Sequence, residues 1–171
     1  QLKAIYQEVR NLLPRKDTGY HKLMGKLSKE GVQQLTMSSL DPAEYQYLQL
    51  YFEREIMPLI SPQIIDKRQP FPFLKNKEIY VGVNLASKSG DVRLGIISSS
   101  GLFNRLIILP SGEDSVKFVL AEDLICFFAE QVFNKHQVLE KTIFRITRNA
   151  DINVEDSDEL EIDFRTAMEE L

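Results

Sequence analysis

The sequence predicts an α+β fold: a two-layer sandwich in which a mostly antiparallel mixed sheet packs against helices, preceded by a leading helical segment. Two observations carry this prediction. Apolar residues recur at helical spacing up to about residue 58, and from residue 78 they follow the pattern of strands. Helices followed by a run of strands are typical of α+β domains. We expect a single domain over 1–171, with a mainly helical lead-in (1–58) and a sheet-plus-helix body (59–171).

The leading segment carries an apolar stripe at helical spacing that begins with Leu2, Ile5 and Val9. We expect Pro14 and Gly19 to interrupt this helix, because a proline removes a backbone donor and clashes with the preceding turn. The same spacing resumes after them.

A second helix has a clear start signal. Asp41 suits the N-cap, Pro42 suits the first helical position, and Glu44 completes a capping box. The predicted buried stripe of this helix consists of Tyr45, Leu48, Phe52 and Ile56. Pro58 forbids continuation, and the prolines that follow up to residue 72 predict an extended connection.

The body of the chain reads as strands with one inserted and one closing helix. Strand-like runs lie at 79–85, 92–97, 105–109, 116–120 and 141–147, and a short one precedes them at 32–35. The first two runs of the body predict a hairpin, and the fourth is expected to pair with the third. One helix is expected to follow residue 120. The closing helix, from about residue 157, would use Leu160, Phe164, Met168 and Leu171.

The charge balance argues against nucleic acid as a partner. The chain has 21 basic and 25 acidic residues, whereas nucleic-acid binders carry an excess of positive charge. The acids concentrate in residues 150–171, which hold nine of them against the single base Arg165.

Cys126 is the only cysteine, so no intrachain disulfide is available, and its apolar surroundings predict a small core residue. No apolar run reaches the ~20 residues of a membrane span, and we expect a cytoplasmic protein without a transmembrane segment.

No motif assembles a catalytic, cofactor or metal site. A phosphate-binding loop, a dinucleotide fingerprint, a nucleophile elbow and a zinc-protease motif are all missing from the sequence. The acidic stretch lacks the spacing of a calcium loop, and His136 lies in a polar loop without a nucleophile or an ordered acid beside it. We therefore predict no catalytic, cofactor-binding or metal-binding residue in this chain, and interpret it as one piece of a larger protein.

Two segments carry more information than the rest. In residues 68–74, aromatic rings alternate with prolines, and packing beneath a sheet is favoured over docking on a partner. In residues 144–151, Arg145 and Arg148 follow a strand and could grip phosphates through paired N–H donors. Pairing of these arginines with Asp151, Glu155 or Asp156 is the favoured alternative. The candidate polyanion contacts are Arg68, Lys75, Lys77, Arg145 and Arg148.

These two segments resemble motifs of bacterial polyphosphate kinases. Residues 70–74 are similar to that family's HPFPF region, with Gln69 in place of the usual histidine, and residues 144–151 resemble its FRxTRNAD motif. Further segments similar to the family's RFxxLP, LEDLI and YFxxxIxPxLTP motifs lie at 105–110, 120–125 and 51–62. The resemblance spans nearly the whole chain and is weakest before residue 40.

The resemblance implies that this chain is the middle, or head, domain of such a kinase. The family reversibly transfers the γ-phosphate of ATP to inorganic polyphosphate through a phosphohistidine, with Mg²⁺. Its catalytic histidine and its nucleotide and metal contacts belong to other domains, so this fragment would hold no cofactor and would be inactive alone. ATP, ADP and polyphosphate would be partners of the parent protein. The head domain is expected to form a homodimer and to help wall the polyphosphate tunnel.

Two other classes of function stay open at this point. The chain could be a free-standing module that binds polyphosphate or another polyanion through the five cationic residues named above. It could also be a purely structural domain without any ligand. Salt-dependent binding that is lost on substitution of Arg145 and Arg148 would favour the first of these.

Overall fold

The computed structural model describes residues 2–65, 71–86, 90–99, 103–112 and 114–147. It confirms the α+β fold class, with helices packed against strands that pair mostly antiparallel. The strands form two separate sheets rather than one mixed sheet. The expected closing helix from residue 157 lies outside the described residues.

The first helix, α1, runs without interruption over Leu2–Lys29. The expectation that Pro14 and Gly19 break it is therefore wrong. A proline inside a helix costs roughly 3 kcal/mol, and here the turns on both sides keep their own hydrogen bonds, so the helix continues through it. Thr18 donates its side-chain hydroxyl to the Pro14 carbonyl over 2.8 Å. None of the α1 side chains is buried, so the apolar stripe of this helix lies on the surface.

The second helix, α2, begins as predicted. It spans Pro42–Tyr51, and the Asp41 carboxylate accepts hydrogen bonds from the backbone N–H groups of Ala43 and Glu44, both over 2.8 Å. The Glu44 side chain completes the capping box by accepting from the Asp41 N–H over 3.0 Å. Beyond Tyr51 the backbone widens into a π-helical turn over Phe52–Ile56. This turn ends just before Pro58.

Two sheets contain the seven strands of the described residues. The three-stranded sheet has the order β1-β6-β5 and the four-stranded sheet has the order β2-β4-β3-β7. Their bounds are β1 Val32–Gln34, β2 Gln63–Ile65, β3 Ile79–Ala86, β4 Val92–Ser98, β5 Leu106–Leu109, β6 Val116–Leu120 and β7 Gln137–Arg145. The predicted pairings β3–β4 and β5–β6 are both present and antiparallel. The parallel pair β1–β6 is the exception to antiparallel pairing in the described part of the chain.

Three elements differ from the prediction by more than one residue at a boundary. β2 lies in the proline-rich stretch that was expected to be an extended connection, and it pairs antiparallel with β4. β7 begins four residues earlier than expected, because its N-terminal half continues the ladder with β3 beyond a register shift at Asn84 and Leu85. The helix predicted after residue 120 is two short helices, α3 (Ala121–Phe127) and α4 (Ala129–Val132). They separate at Phe128, whose backbone leaves the helical region at φ −89° and ψ 14°.

The main core lies between the sheets and the helices α2–α4. The fully buried side chains of α2 and its π-turn, Leu48, Phe52 and Ile56, are three of the four predicted for that stripe; Tyr45 is exposed. They pack in one cluster with residues of both sheets and with Ile125 of α3. One face of the four-stranded sheet therefore packs against the main core, and we call it the inner face. The opposite face is the outer face.

Candidate functional site

Three of the five cationic candidates lie at one end of the four-stranded sheet. The Lys77 N–H donates to the Ile146 carbonyl over 2.8 Å, and Arg145 lies opposite Ile79 in the β3–β7 ladder. Lys75 lies in the same short segment. Lys75, Lys77 and Arg145 are all exposed, and we call them the basic cluster. Arg68 and Arg148 lie outside the described residues.

The backbone around the basic cluster is held by aromatic packing and hydrogen bonds. The Lys75 N–H donates to the Tyr80 hydroxyl over 2.8 Å, and the Tyr80 ring stacks on Phe144 with the centroids 5.7 Å apart. Lys77 adopts φ +64°, a left-handed conformation that costs a side-chain-bearing residue roughly 1–2 kcal/mol. The hydrogen bond to Ile146 helps to hold Lys77 in this conformation and joins the segment to the end of β7.

The charges of the basic cluster are weakly compensated in the described part of the chain. The Lys75 ammonium lies 3.9 Å from the Glu78 carboxylate, at the long limit of an ion pair. For Lys77 and Arg145 no salt bridge with another described residue is present. The acids expected to pair with Arg145, namely Asp151, Glu155 and Asp156, lie outside the described residues. That pairing therefore stays a prediction.

The proline–aromatic segment does not pack as expected. Phe71 and Phe73 are 59% and 58% exposed, whereas Leu74 is buried at 3%. The prediction that the two rings pack beneath the sheet is thus wrong. Leu74 packs there instead, in one cluster with Tyr80 and Ile96.

An ion pair between the exposed Arg105 and the buried Glu122 joins two of the motif segments. Arg105 donates through Nε and Nη2 to the same Oε1 atom of Glu122, over 2.8 and 2.5 Å. The Glu122 side chain is only 5% exposed, and its other oxygen, Oε2, is buried without a hydrogen-bond partner among the described residues. The hydrogen bonds that Arg105 donates to Glu122 raise the pKa of Arg105. Burial, together with the neighbouring Glu122 charge, raises the pKa of Asp123.

The sequence analysis missed the Arg105–Glu122 pair, since it predicted a helix after residue 120 and gave Glu122 no partner. The Ala121 N–H also donates to the Arg105 carbonyl over 2.8 Å. These contacts connect the first residue before β5 to the beginning of α3. Two adjacent acids, Glu122 and Asp123, between apolar residues were the signal that could have indicated a buried, paired carboxylate.

Glu44 connects α2 to the three-stranded sheet. One of its oxygens caps the helix, and the other accepts from the Lys117 ammonium over 2.6 Å. This hydrogen bond raises the pKa of Lys117. The Glu44 side chain is mostly buried and Lys117 is partly so. The pair therefore fixes the start of α2 against β6 rather than forming a surface for a ligand.

The described residues do not assemble a reactive centre. Among them, no three His, Cys, Asp or Glu side chains come together in a way that could hold a metal ion. Burial raises the pKa of the Cys126 thiol, which reduces the fraction of the nucleophilic thiolate. His136 lies in a turn, where its N–H donates to the Phe133 carbonyl over 2.8 Å. The helices of this part of the chain include none long and apolar enough to cross a membrane.

Comparison with protein families identifies the fold's relatives. A family model described as the middle domain of polyphosphate kinase matches residues 43–171. The chain belongs to the polyphosphate kinase family. The prediction made from the motif segments is thereby confirmed, and the match includes all of them.

Individual polyphosphate kinases resemble the chain over most of its length. The protein of Bacillus cereus is 36% identical over 143 residues, covering 81% of this chain and 20% of its own length. That of Halalkalibacterium halodurans is 33% identical over 157 residues, covering 90% of this chain and 22% of its own. The crystal structure of polyphosphate kinase from Porphyromonas gingivalis shares the fold, with a TM-score of 0.73 and 23% identity over 88% of this chain and 25% of that one. The chain thus spans about a fifth of the length of these relatives.

Proposed function

We propose that this chain is the scaffold domain of a parent enzyme that reversibly transfers the γ-phosphate of ATP to inorganic polyphosphate. The transfer would pass through a phosphohistidine and would use Mg²⁺. The family match over residues 43–171 is the observation that carries the proposal. Phosphoryl transfer needs a nucleophile, cationic clamps and a metal held together. Among the described residues, no group of His, Cys, Asp and Glu side chains could hold a metal ion. We assign the nucleotide, the metal and the reacting histidine to other parts of the parent.

Dimerisation and a share in the wall of the polyphosphate tunnel are the roles we propose for the domain itself. The exposed apolar stripe of α1 supports the first role, since several large side chains lie uncovered there: Leu2, Ile5, Tyr6, Val9, Leu12 and Leu13. A continuous apolar surface of this kind is typical of interaction sites. The basic cluster supports the second role, because phosphates bind exposed lysine and arginine side chains. A cytoplasmic location, where ATP is available, completes the proposal.

The parent polypeptide, incubated with ATP and Mg²⁺, is expected to form an acid-labile phosphate polymer and ADP in step. Each phosphoryl group that enters the polymer leaves one ADP behind, so the two amounts should agree. The 171-residue chain alone serves as the control, and it should produce no ADP above the buffer rate. Turnover of ATP by the isolated chain would contradict the scaffold role, and a folded parent that makes no polymer would contradict the activity.

A polyanion-binding module without catalysis is the second candidate. The specific observation in its favour is that Lys75, Lys77 and Arg145 lie together at one end of the sheet with little compensation from described acids. Three cations on a fixed backbone can neutralise successive phosphates of a polymer and release its counterions. Such binding weakens steeply as salt concentration rises.

Replacing Lys77 and Arg145 together by alanine is expected to weaken polyphosphate binding by the chain and to flatten its salt dependence, without loss of folding. Fluorescence anisotropy with a labelled polyphosphate at several salt concentrations would measure both quantities. The double substitution of Lys22 and Arg10 on α1 is the matched control, since it removes the same charges from another surface. If both doubles act alike, the binding is non-specific. If the first double lowers the melting temperature and leaves binding intact, the two residues are structural.

A further inference from the structure

Residues 71–77 alternate between exposed and covered side chains. Phe71, Phe73, Lys75 and Lys77 are exposed, whereas the residues between them are buried or half-buried. Alternation of this kind places every second side chain on the same side of the backbone, as in an extended chain. Two aromatic rings and then two ammonium groups therefore follow one another on the exposed side of this segment. We call these four residues the aromatic–cationic row.

The backbone beneath the row is held by contacts with the four-stranded sheet and the end of β7. Leu74 is buried and packs in one cluster with Tyr80. The Lys75 N–H donates to the Tyr80 hydroxyl, and the Lys77 N–H donates to the Ile146 carbonyl, each over 2.8 Å. A molecule that binds the row therefore has to order little of the chain, which lowers the entropic cost of binding.

The two exposed rings are not needed for binding a bare phosphate chain. Phe71 and Phe73 keep more than half of their surface in contact with water, and phosphate oxygens offer no apolar surface to cover them. A single exposed apolar side chain is common on proteins, but here two rings directly precede two cations. Aromatic side chains stack on nucleic acid bases whatever the base, because every base has a π-face. The row therefore suits a molecule in which a flat base is joined to phosphates.

The cationic half of the row is continued by Arg145, the third member of the basic cluster, which lies at the end of the β3–β7 ladder. Among the described residues, the acid in ion-pair contact with the cluster is Glu78, whose carboxylate lies 3.9 Å from the Lys75 ammonium. Three cations against this one acid leave the local charge positive. Such a charge favours the approach of an anion of several phosphates.

The spacing along the row brings the rings and the cations within reach of one small molecule. At about 3.3 Å per residue, the Cα atoms of Phe73 and Lys75 lie about 7 Å apart in an extended chain. The Lys75 ammonium is carried on a flexible four-carbon side chain. A base on the rings therefore leaves its attached phosphates beside the ammonium groups.

We propose that the aromatic–cationic row, together with Arg145, binds a nucleoside triphosphate. The base stacks on Phe71 and Phe73, and the phosphates pair with Lys75, Lys77 and Arg145. The nucleotide and a polyphosphate chain then compete for the same cations. This inference concerns binding without turnover. It rests on the basic cluster as a phosphate site and not on the activity of the parent.

NMR titration of the full 171-residue chain, labelled with ¹⁵N and free of Mg²⁺, tests the proposal with ATP and tripolyphosphate as probes. Both probes contain three phosphates, and tripolyphosphate lacks the base. ATP is expected to bind about fivefold more tightly or better, the effect of stacking one base on an aromatic side chain. The amide signals that move should include those of residues 71–77. Tripolyphosphate that binds as tightly as ATP would overturn the proposal and leave the basic cluster as a polyanion site.

Replacing both rings by leucine, in Phe71→Leu/Phe73→Leu, separates stacking from charge. This double is expected to raise the dissociation constant of ATP about fivefold or more and to leave that of tripolyphosphate unchanged. The melting temperature should stay the same, because both rings are exposed. Tyr6→Leu is the matched control, since Tyr6 is 61% exposed and lies among the cations of α1. It should change neither constant.

Three further outcomes would contradict the proposal. If the leucine double weakens both probes equally, the rings support the backbone and do not stack. If Tyr6→Leu weakens ATP as much as the double does, the stacking is non-specific. A short single-stranded oligoadenylate that binds far more tightly than ATP would assign the surface to nucleic acid instead.

Discussion

Replacing Leu48 by alanine is expected to lower the free energy of unfolding by about 2–5 kcal/mol, the usual cost of truncating a fully buried leucine. Leu48 is 0% exposed and lies in the main core beside Phe52 and Phe128. Those two rings stack with their centroids 4.9 Å apart. Filling the cavity would require a stacked pair to move, so little of the lost contact can be regained by relaxation.

Leu50→Ala provides the matched control for this prediction. Leu50 lies two residues further along α2 and is 42% exposed. The change in side chain and in helix propensity is the same at both positions, so the difference between the two variants measures burial alone. Chemical denaturation should give a change of about 0.5 kcal/mol or less for Leu50→Ala. Similar losses for both variants would contradict the placement of α2 against the core.

The features that were predicted correctly depend on residues that lie close together in the sequence. The start of α2 follows from Asp41, Pro42 and Glu44, because an N-cap, a first-turn proline and a capping box all act within four positions. The β3–β4 hairpin similarly follows from two strand-like runs with a short turn between them. Neither feature requires knowledge of distant parts of the chain.

The features that were missed depend on distant residues. β1 and β6 pair in parallel, with Val32 opposite Val116, and nothing near either residue encodes that partner. β2 forms in a proline-rich stretch because β4 offers it an edge. The helix α1 continues through Pro14, because a proline lowers the stability of a helix without necessarily ending it. For β1 and β2, tertiary hydrogen bonding outweighed the local signal.

The candidate site shows the same division. Residue type alone singled out Lys75, Lys77 and Arg145 as phosphate contacts, but their proximity depends on the hydrogen bond between Lys77 and Ile146 and on the β3–β7 ladder. The Arg105–Glu122 pair escaped prediction, since the two residues lie in separate elements and only the folded chain makes Glu122 buried. The sequence predicts the chemistry of a side chain more readily than it predicts which residues will lie next to that side chain in the fold.

Gly31→Ala is expected to destabilise the chain by about 2 kcal/mol or more, through two separate effects. Gly31 has φ +79°, a conformation that costs an alanine roughly 1–2 kcal/mol. An added Cβ would also meet the backbone carbonyl oxygen of Asp114 well inside contact distance. That oxygen belongs to the main chain and has no flexible side chain to move aside. Displacing packed atoms in this way costs typically 1–3 kcal/mol.

Two other glycines separate these effects. Gly90 has φ +85° and open space where a Cβ would be, so Gly90→Ala should show the conformational cost alone. Gly25 lies inside α1 with open space around it, and Gly25→Ala should stabilise the chain by about 0.5–1 kcal/mol. Thermal unfolding can rank all three, at about 2–4 °C for each kcal/mol in a chain of this length.

The difference between Gly31→Ala and Gly90→Ala measures how firmly β1 is joined to β6. The Val116 N–H donates to the Gly31 carbonyl over 2.8 Å, and the Leu35 N–H donates to the Phe118 carbonyl over 2.8 Å. These bonds flank the parallel pair and hold Gly31 beside Asp114. If both variants lower the free energy of unfolding equally, the backbone at Gly31 has moved away from Asp114 at no cost. The parallel β1–β6 pair would then not hold Gly31 in place. A larger loss at Gly31 means that this backbone contact sets where α1 joins the rest of the domain.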